Sequence, residues 1–60
     1  MFAANLICTE VSQYGYCVTY YRDGRVYRIY WRRTRPAADR LIRWLTDALD
    51  KYADVIILEE

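Results

Sequence analysis

Arginine and tyrosine are the residues whose number and spacing suggest chemistry here, and that chemistry is recognition, not bond-making. Arg28, Tyr30 and Arg32 recur at every second position, with Arg22 and Arg25 before them and Arg33 and Arg35 after. On an extended strand alternate residues share a face and lie about 6.6 Å apart, which is the scale of phosphate spacing, and tyrosine rings beside them offer stacking or sugar contacts. All eight arginines fall between Arg22 and Arg43, where only Asp23 and Asp39 oppose them. That stretch carries +6 and the remainder −5, so a net charge of +1 conceals a cationic middle and an anionic end. Such a distribution points to an oriented binding surface. Solvated faces of a small domain would carry the same residue types, so the pattern alone does not separate the two.

Residues for catalysis are lacking. Ser12 is the only serine and falls in a turn, and with no histidine in the chain neither Cys8 nor Cys17 has the usual base beside it. Two cysteines without histidine do not make a zinc site. The carboxylates sit at the ends of elements, where capping and solubility account for them. The expectation is a chain that is not an enzyme and needs no cofactor or metal.

Sixty residues make one domain, residues 1–60, and a chain this short buries only about 60% of its unfolded surface. Seven tyrosines, two tryptophans and one phenylalanine supply large apolar area per residue, which offsets the entropy of ordering the backbone. No apolar run reaches the length of a membrane span and no basic region precedes an apolar one at the amino terminus. The expected location is therefore cytoplasmic, with free thiols.

The elements that must position the arginines are legible. Asp23-Gly24, between runs rich in tyrosine, valine, threonine and isoleucine, marks a two-residue type I′ hairpin turn. Unbroken pairing from that turn sets Tyr20 opposite Tyr27, Val18 opposite Ile29 and Tyr16 opposite Trp31, and gathers these six on a core face. The other face then holds Cys17, Thr19, Tyr21, Val26, Arg28, Tyr30 and Arg32. An earlier strand runs from about Ala3 to Val11. A two-residue turn at Ser12-Gln13 would put Ile7, Thr9 and Val11 inward and Cys8 opposite Cys17, whereas an odd-length loop would turn Phe2, Leu6 and Cys8 inward. The first is preferred, with the thiols reduced but close enough to cross-link on oxidation.

Thr34, Arg35-Pro36 and Asp39 announce a helix, through a capping hydroxyl, a proline in the first turn and an early carboxylate. It is expected to reach Tyr52, burying Ala38, Leu41, Leu45, Ala48 and Tyr52 with Trp44 and Leu49 beside them, and to turn Arg40, Arg43, Asp47, Asp50 and Lys51 to water. Val55 to Leu58 forms a short apolar strand that either joins the sheet in parallel through a right-handed crossover or pairs with another subunit as a homodimer. The expected fold is α+β: a three-stranded antiparallel meander on one amphipathic helix, with a fourth strand.

From Tyr16 to Leu45 the order of strand, Asp23-Gly24 turn, arginine-bearing strand ending at Trp31, Thr34-Arg35, Ala38-Asp39 and Leu41-Ile42 resembles the AP2-like, arm-type DNA-binding domain of phage integrases. The resemblance covers about half the chain. It implies a three-stranded sheet whose helix-free face lies in the DNA major groove, with Arg28, Tyr30 and Arg32 on the reading strand. The chain departs from that family in lacking a recombinase domain and in its terminal strand. In size it is also similar to small phage accessory proteins, including anti-CRISPR inhibitors.

Two functional readings follow. One is binding of nucleic acid or a nucleoprotein through Arg22, Arg25, Arg28, Tyr30, Arg32 and Tyr21. The other is stoichiometric inhibition of a host protein, through the acidic end, Asp47, Asp50, Asp54, Glu59 and Glu60, or the exposed side of the helix. No membrane partner is expected.

Overall fold

The computed structural model describes residues 5–59, so the expected start of the first strand at Ala3, and Phe2, lie outside the described residues. Three antiparallel strands come first, β1 (Asn5–Ser12), β2 (Gly15–Arg22) and β3 (Arg25–Arg32), then helix α1 (Arg35–Trp44), a wide helical turn over Leu45–Leu49, and strand β4 (Asp54–Glu59). The sheet order is β3-β2-β1-β4, with β4 parallel to β1. The α+β meander with helix and fourth strand is therefore the fold, and the last strand joins its own sheet.

The turns follow from local chemistry. Asp23 (φ 51°) and Gly24 (φ 78°) are both left-handed, as the type I′ turn requires. The first hairpin turns at Gln13-Tyr14, where the Ser12 hydroxyl accepts from the Tyr14 amide at 3.2 Å, so Ser12 faces Gly15 and Cys8 faces Thr19. Ile7, Thr9 and Val11 keep the expected inward parity, but Cys8 is not opposite Cys17. The thiols lie diagonally, since Cys17 pairs with Glu10, and at about 7–8 Å such diagonals exceed disulfide reach. Gly15 (φ +133°) is required where β2 starts, because a Cβ there would stand 2.8 Å from the Arg32 carbonyl oxygen.

The helix begins as expected, with Thr34 Oγ1 accepting from the Ala37 amide at 3.4 Å. It ends earlier than expected. Thr46 Oγ1 donates to the carbonyls of Ile42 (3.1 Å) or Arg43 (2.9 Å), and this competition for backbone acceptors accompanies a widened last turn closed by the Asp50 amide on the Leu45 carbonyl at 2.8 Å. The chain then leaves for β4. Ala48, Leu49 and Tyr52 consequently miss the core, and Tyr52 is 89% exposed.

The core is small: Ile7, Val18, Tyr20, Ala38, Leu41 and Leu45 are buried, together with Thr9. Thr9 Oγ1 has no hydrogen-bond partner among the described residues. A buried unpaired hydroxyl costs about 1–3 kcal/mol, so Thr9→Val, which keeps the β-branched shape, should be neutral or raise stability by about 1 kcal/mol in a urea titration. A loss larger than about 1 kcal/mol would mean that the hydroxyl is paired.

Candidate functional site

A bulge decides where the arginines go. Arg22 pairs with Arg25 and Tyr21 with Val26, but Tyr20 then pairs with Arg28, leaving Tyr27 as an extra residue on β3. Beyond it Thr19 faces Ile29, Val18 faces Tyr30, Cys17 faces Trp31 and Tyr16 faces Arg32. One inserted residue reverses every later side chain. Arg28, Tyr30 and Arg32 thus lie on the helix side with Val18 and Tyr20, not on the helix-free face as expected. Ile29 and Trp31, expected in the core, are 59% and 58% exposed on the helix-free face. Tyr21 is on that face too, in the expected place, while Arg25 stands at the hairpin end beside Arg22.

The bulge sets side chains suited to a rim on the helix side. α1 covers the centre of the sheet and leaves the helix side of the edge strand β3 partly open. Arginine and tyrosine suit a rim, because each buries a stem or ring and leaves its polar end wet. Tyr27 and Arg28, both at the bulge, turn to the helix side. The Tyr27 ring meets Tyr20 edge-on with centroids 5.6 Å apart.

What results is a groove between α1 and β3. One end, a hollow of about 360 Å³, is lined by Tyr30, Arg32, Ala37, Arg40, Leu41 and Trp44. The other, about 460 Å³, is lined by Arg22, Tyr27, Arg28, Tyr30, Trp44 and Leu49. Tyr30 and Trp44 belong to both, so the two hollows adjoin. Four guanidinium groups and three aromatic rings line the two hollows.

Local contacts hold these groups. The Arg22 guanidinium lies 4.7 Å from the Tyr27 ring centroid and 5.7 Å from that of Tyr20, and its Nε donates to Tyr20 Oη at 3.1 Å. Arg28 lies 6.0 Å from Tyr27 and Arg32 5.9 Å from Tyr30, each within cation–π range. Arg32 Nη1 also donates to the Trp31 carbonyl at 2.7 Å. Among the described residues the one ion pair is Arg35–Glu59, 3.6 Å, so no described carboxylate pairs directly with a groove arginine, and Asp50 reaches Arg22 only through the Tyr20 hydroxyl.

Asp50 anchors the groove's far end from below. Its carboxylate accepts from Asn5 Nδ2, from Tyr20 Oη at 3.0 Å and from the Tyr52 amide at 3.1 Å, and Asn5 Oδ1 accepts from the Asp23 amide at 3.2 Å. This ties β1, the hairpin and the helix end together, and Asp50 is not simply solvated as expected. Burial alone would raise its pKa, but the bonds from Asn5, Tyr20 and Tyr52, with the nearby Arg22 charge, outweigh it and hold the carboxyl below its ordinary value. A depressed folded pKa contributes stability that is present above the unfolded value, near 4, and lost as pH falls through the folded one. Urea midpoints should therefore fall on acidification below about pH 4 more steeply for the wild type than for Asp50→Asn. Parallel curves would contradict this.

The groove brings together Arg22, Arg28, Tyr30 and Arg32 from the sequence reading, and leaves Tyr21 and Arg25 out. Three of its members are not anticipated by sequence: Tyr27, expected in the core, Arg40, expected in water, and Trp44, expected beside the core stripe. The spacing of Arg40 and Trp44, one helical turn apart and off the Ala38-Leu41-Leu45 stripe, is a signal that could have grouped them. No helix among the described residues is long and apolar enough to cross a membrane, and no three described His, Cys, Asp or Glu residues cluster in a way that could hold a metal. No family model, curated protein or solved structure matches the chain.

Proposed function

We propose that the chain binds single-stranded nucleic acid in the α1–β3 groove, without catalysing a reaction. The observation that carries this reading is the gathering of Arg22, Arg28, Arg32 and Arg40 with Tyr27, Tyr30 and Trp44 in two neighbouring hollows between α1 and β3. Arginines without a direct ion pair among the described residues supply the charge that tracks a phosphate backbone, and the rings of the groove wall supply platforms for bases. Single strands are favoured over a duplex because ring stacking needs base faces, which a duplex keeps stacked on one another. The helix-free face, which the integrase resemblance would lay in a major groove, carries no arginine of β3. From Arg28 to Arg32 the strand rises about 13 Å, or about two phosphate spacings, which suits a short site of roughly three nucleotides.

The test is equilibrium binding to labelled single-stranded DNA, single-stranded RNA and duplex DNA at two salt concentrations. The reading expects single strands to bind more tightly than the duplex, with log affinity falling linearly in log salt. Absence of binding to every nucleic acid at low salt would end this reading and favour the alternative, an inhibitor that occupies a host protein.

A further inference from the structure

The groove leaves unexplained the opposite side of the sheet, which no element of the described chain covers. Sheet parity places Cys8, Cys17, Ile29, Trp31, Ile56 and Leu58 on it, with Glu10 and Asp54 as the charged residues of that face among the described strands. Val26, Ile29, Trp31 and Leu58 are all more than half exposed. A solvated face of an antiparallel sheet reads polar, whereas this one is mainly apolar, with Glu10, Ser12, Thr19 and Asp54 as its polar residues.

We infer that the helix-free face is the interface of a symmetric homodimer in which two copies of the sheet pack face to face. Three strands of eight residues and one of six, about 4.8 Å apart, make a face of about 475 Å² in projection per copy, so two copies bury about 950 Å², close to what a specific interface needs. The occupant is a second copy because a two-fold interface must be self-complementary. Glu10 and Asp54 both lie on the β1–β4 half, so a copy turned about the strand direction sets its carboxylates over β2 and β3 and away from their equivalents. The face offers no run of charges for an oppositely charged partner to read. The bulge fits this arrangement: the residue that sends Arg28, Tyr30 and Arg32 to the groove also sends Ile29 and Trp31 to this face. The small core of buried side chains is one that a second layer would extend, which is how short domains commonly gain stability. The inference does not rest on the groove's ligand, since the two surfaces lie on opposite sides of the sheet.

Sedimentation equilibrium of the full chain in reductant should give twice the 7.3 kDa chain mass, and the melting temperature should rise with protein concentration, as it does when unfolding is coupled to dissociation. Cys8 and Cys17, which lie in the face, should react with a bulky maleimide roughly tenfold faster or more once dilution dissociates the dimer. Trp31→Glu should be monomeric and label quickly at every concentration, whereas Ile57→Glu, on the other side of β4, should stay dimeric. A monomer mass at the highest soluble concentration would overturn the inference. So would a dimer that Trp31→Glu leaves intact and Ile57→Glu dissociates, which would place the contact at the β4 edge instead; the dilution series reads the wild type and does not depend on either variant folding.

Discussion

Replacing Arg28 and Arg32 together with alanine should weaken binding of a single-stranded oligonucleotide by about 2–4 kcal/mol, roughly 30- to 1,000-fold, given about 1–2 kcal/mol for each charge-assisted hydrogen bond to phosphate. Both side chains line the groove, one in each hollow, so their removal should thin the positive field along its whole length. The salt slope should fall as well, by about 0.7 for each phosphate of a single strand that is no longer neutralised. Stability should change by no more than about 0.5 kcal/mol, because neither residue is part of the buried core. Lysine at both positions should restore part of the affinity but not all, since an ammonium keeps the charge and loses the planar fork that pairs with phosphate. Unchanged affinity in the alanine double variant would remove these residues from the site. A loss of affinity matched by unfolding would show instead that they hold the groove's shape.

Tyr20→Ala is the substitution with the largest expected effect on folding. The Tyr20 ring is fully buried, stands edge-on to Tyr27 and carries the hydroxyl that joins Arg22 to Asp50. Truncating a buried aromatic costs about 3–5 kcal/mol, and a domain of this length holds only about 3–9 kcal/mol in all. The variant should be largely unfolded, or nearly so, by circular dichroism in the absence of denaturant. Tyr20→Phe keeps the ring and removes the donor to the Asp50 carboxylate, so it should cost about 1–3 kcal/mol and remain folded. A urea midpoint for Tyr20→Phe equal to the wild type would mean that the hydroxyl network adds nothing. Tyr20→Ala costing less than about 1 kcal/mol would mean that the ring is not central to the core.

Much of the fold is legible because particular residues admit few conformations. Asp23-Gly24 specifies a type I′ turn, Thr34 and Pro36 specify a helix start, and the β-branched run from Val55 to Ile57 specifies a strand. The arginines of the site are legible by type and spacing, but their side of the sheet is not. From Arg28 onward arginines alternate with Ile29 and Trp31, so either parity gives one apolar and one polar face, and the more apolar set is the natural choice for the core. What decides between them is a single extra residue at Tyr27, and nothing in Val26-Tyr27-Arg28 distinguishes a bulge from continuous pairing. A second cause is coverage. One short helix hides the centre of a four-stranded sheet and leaves β3 at a rim, so coverage by the helix does not force the more apolar set of β3 inward. The helix end is hidden for a similar reason: Thr46 bonds its hydroxyl to carbonyls of the preceding turn, a detail that the apolar spacing of Ala48 and Tyr52 conceals.

The central claim is that the groove, and not the helix-free face, is where a single strand lies. The two tryptophans make this directly observable, because Trp44 lines the groove and Trp31 lies on the opposite side of the sheet. Titrating isotope-labelled protein with a short single-stranded oligonucleotide at low salt, and following the indole and guanidinium N–H resonances, should shift Trp44 and the Arg22, Arg28 and Arg32 Nε–H signals while Trp31 stays in place. Movement of Trp31 with Trp44 silent would put the ligand on the helix-free face and contradict the account.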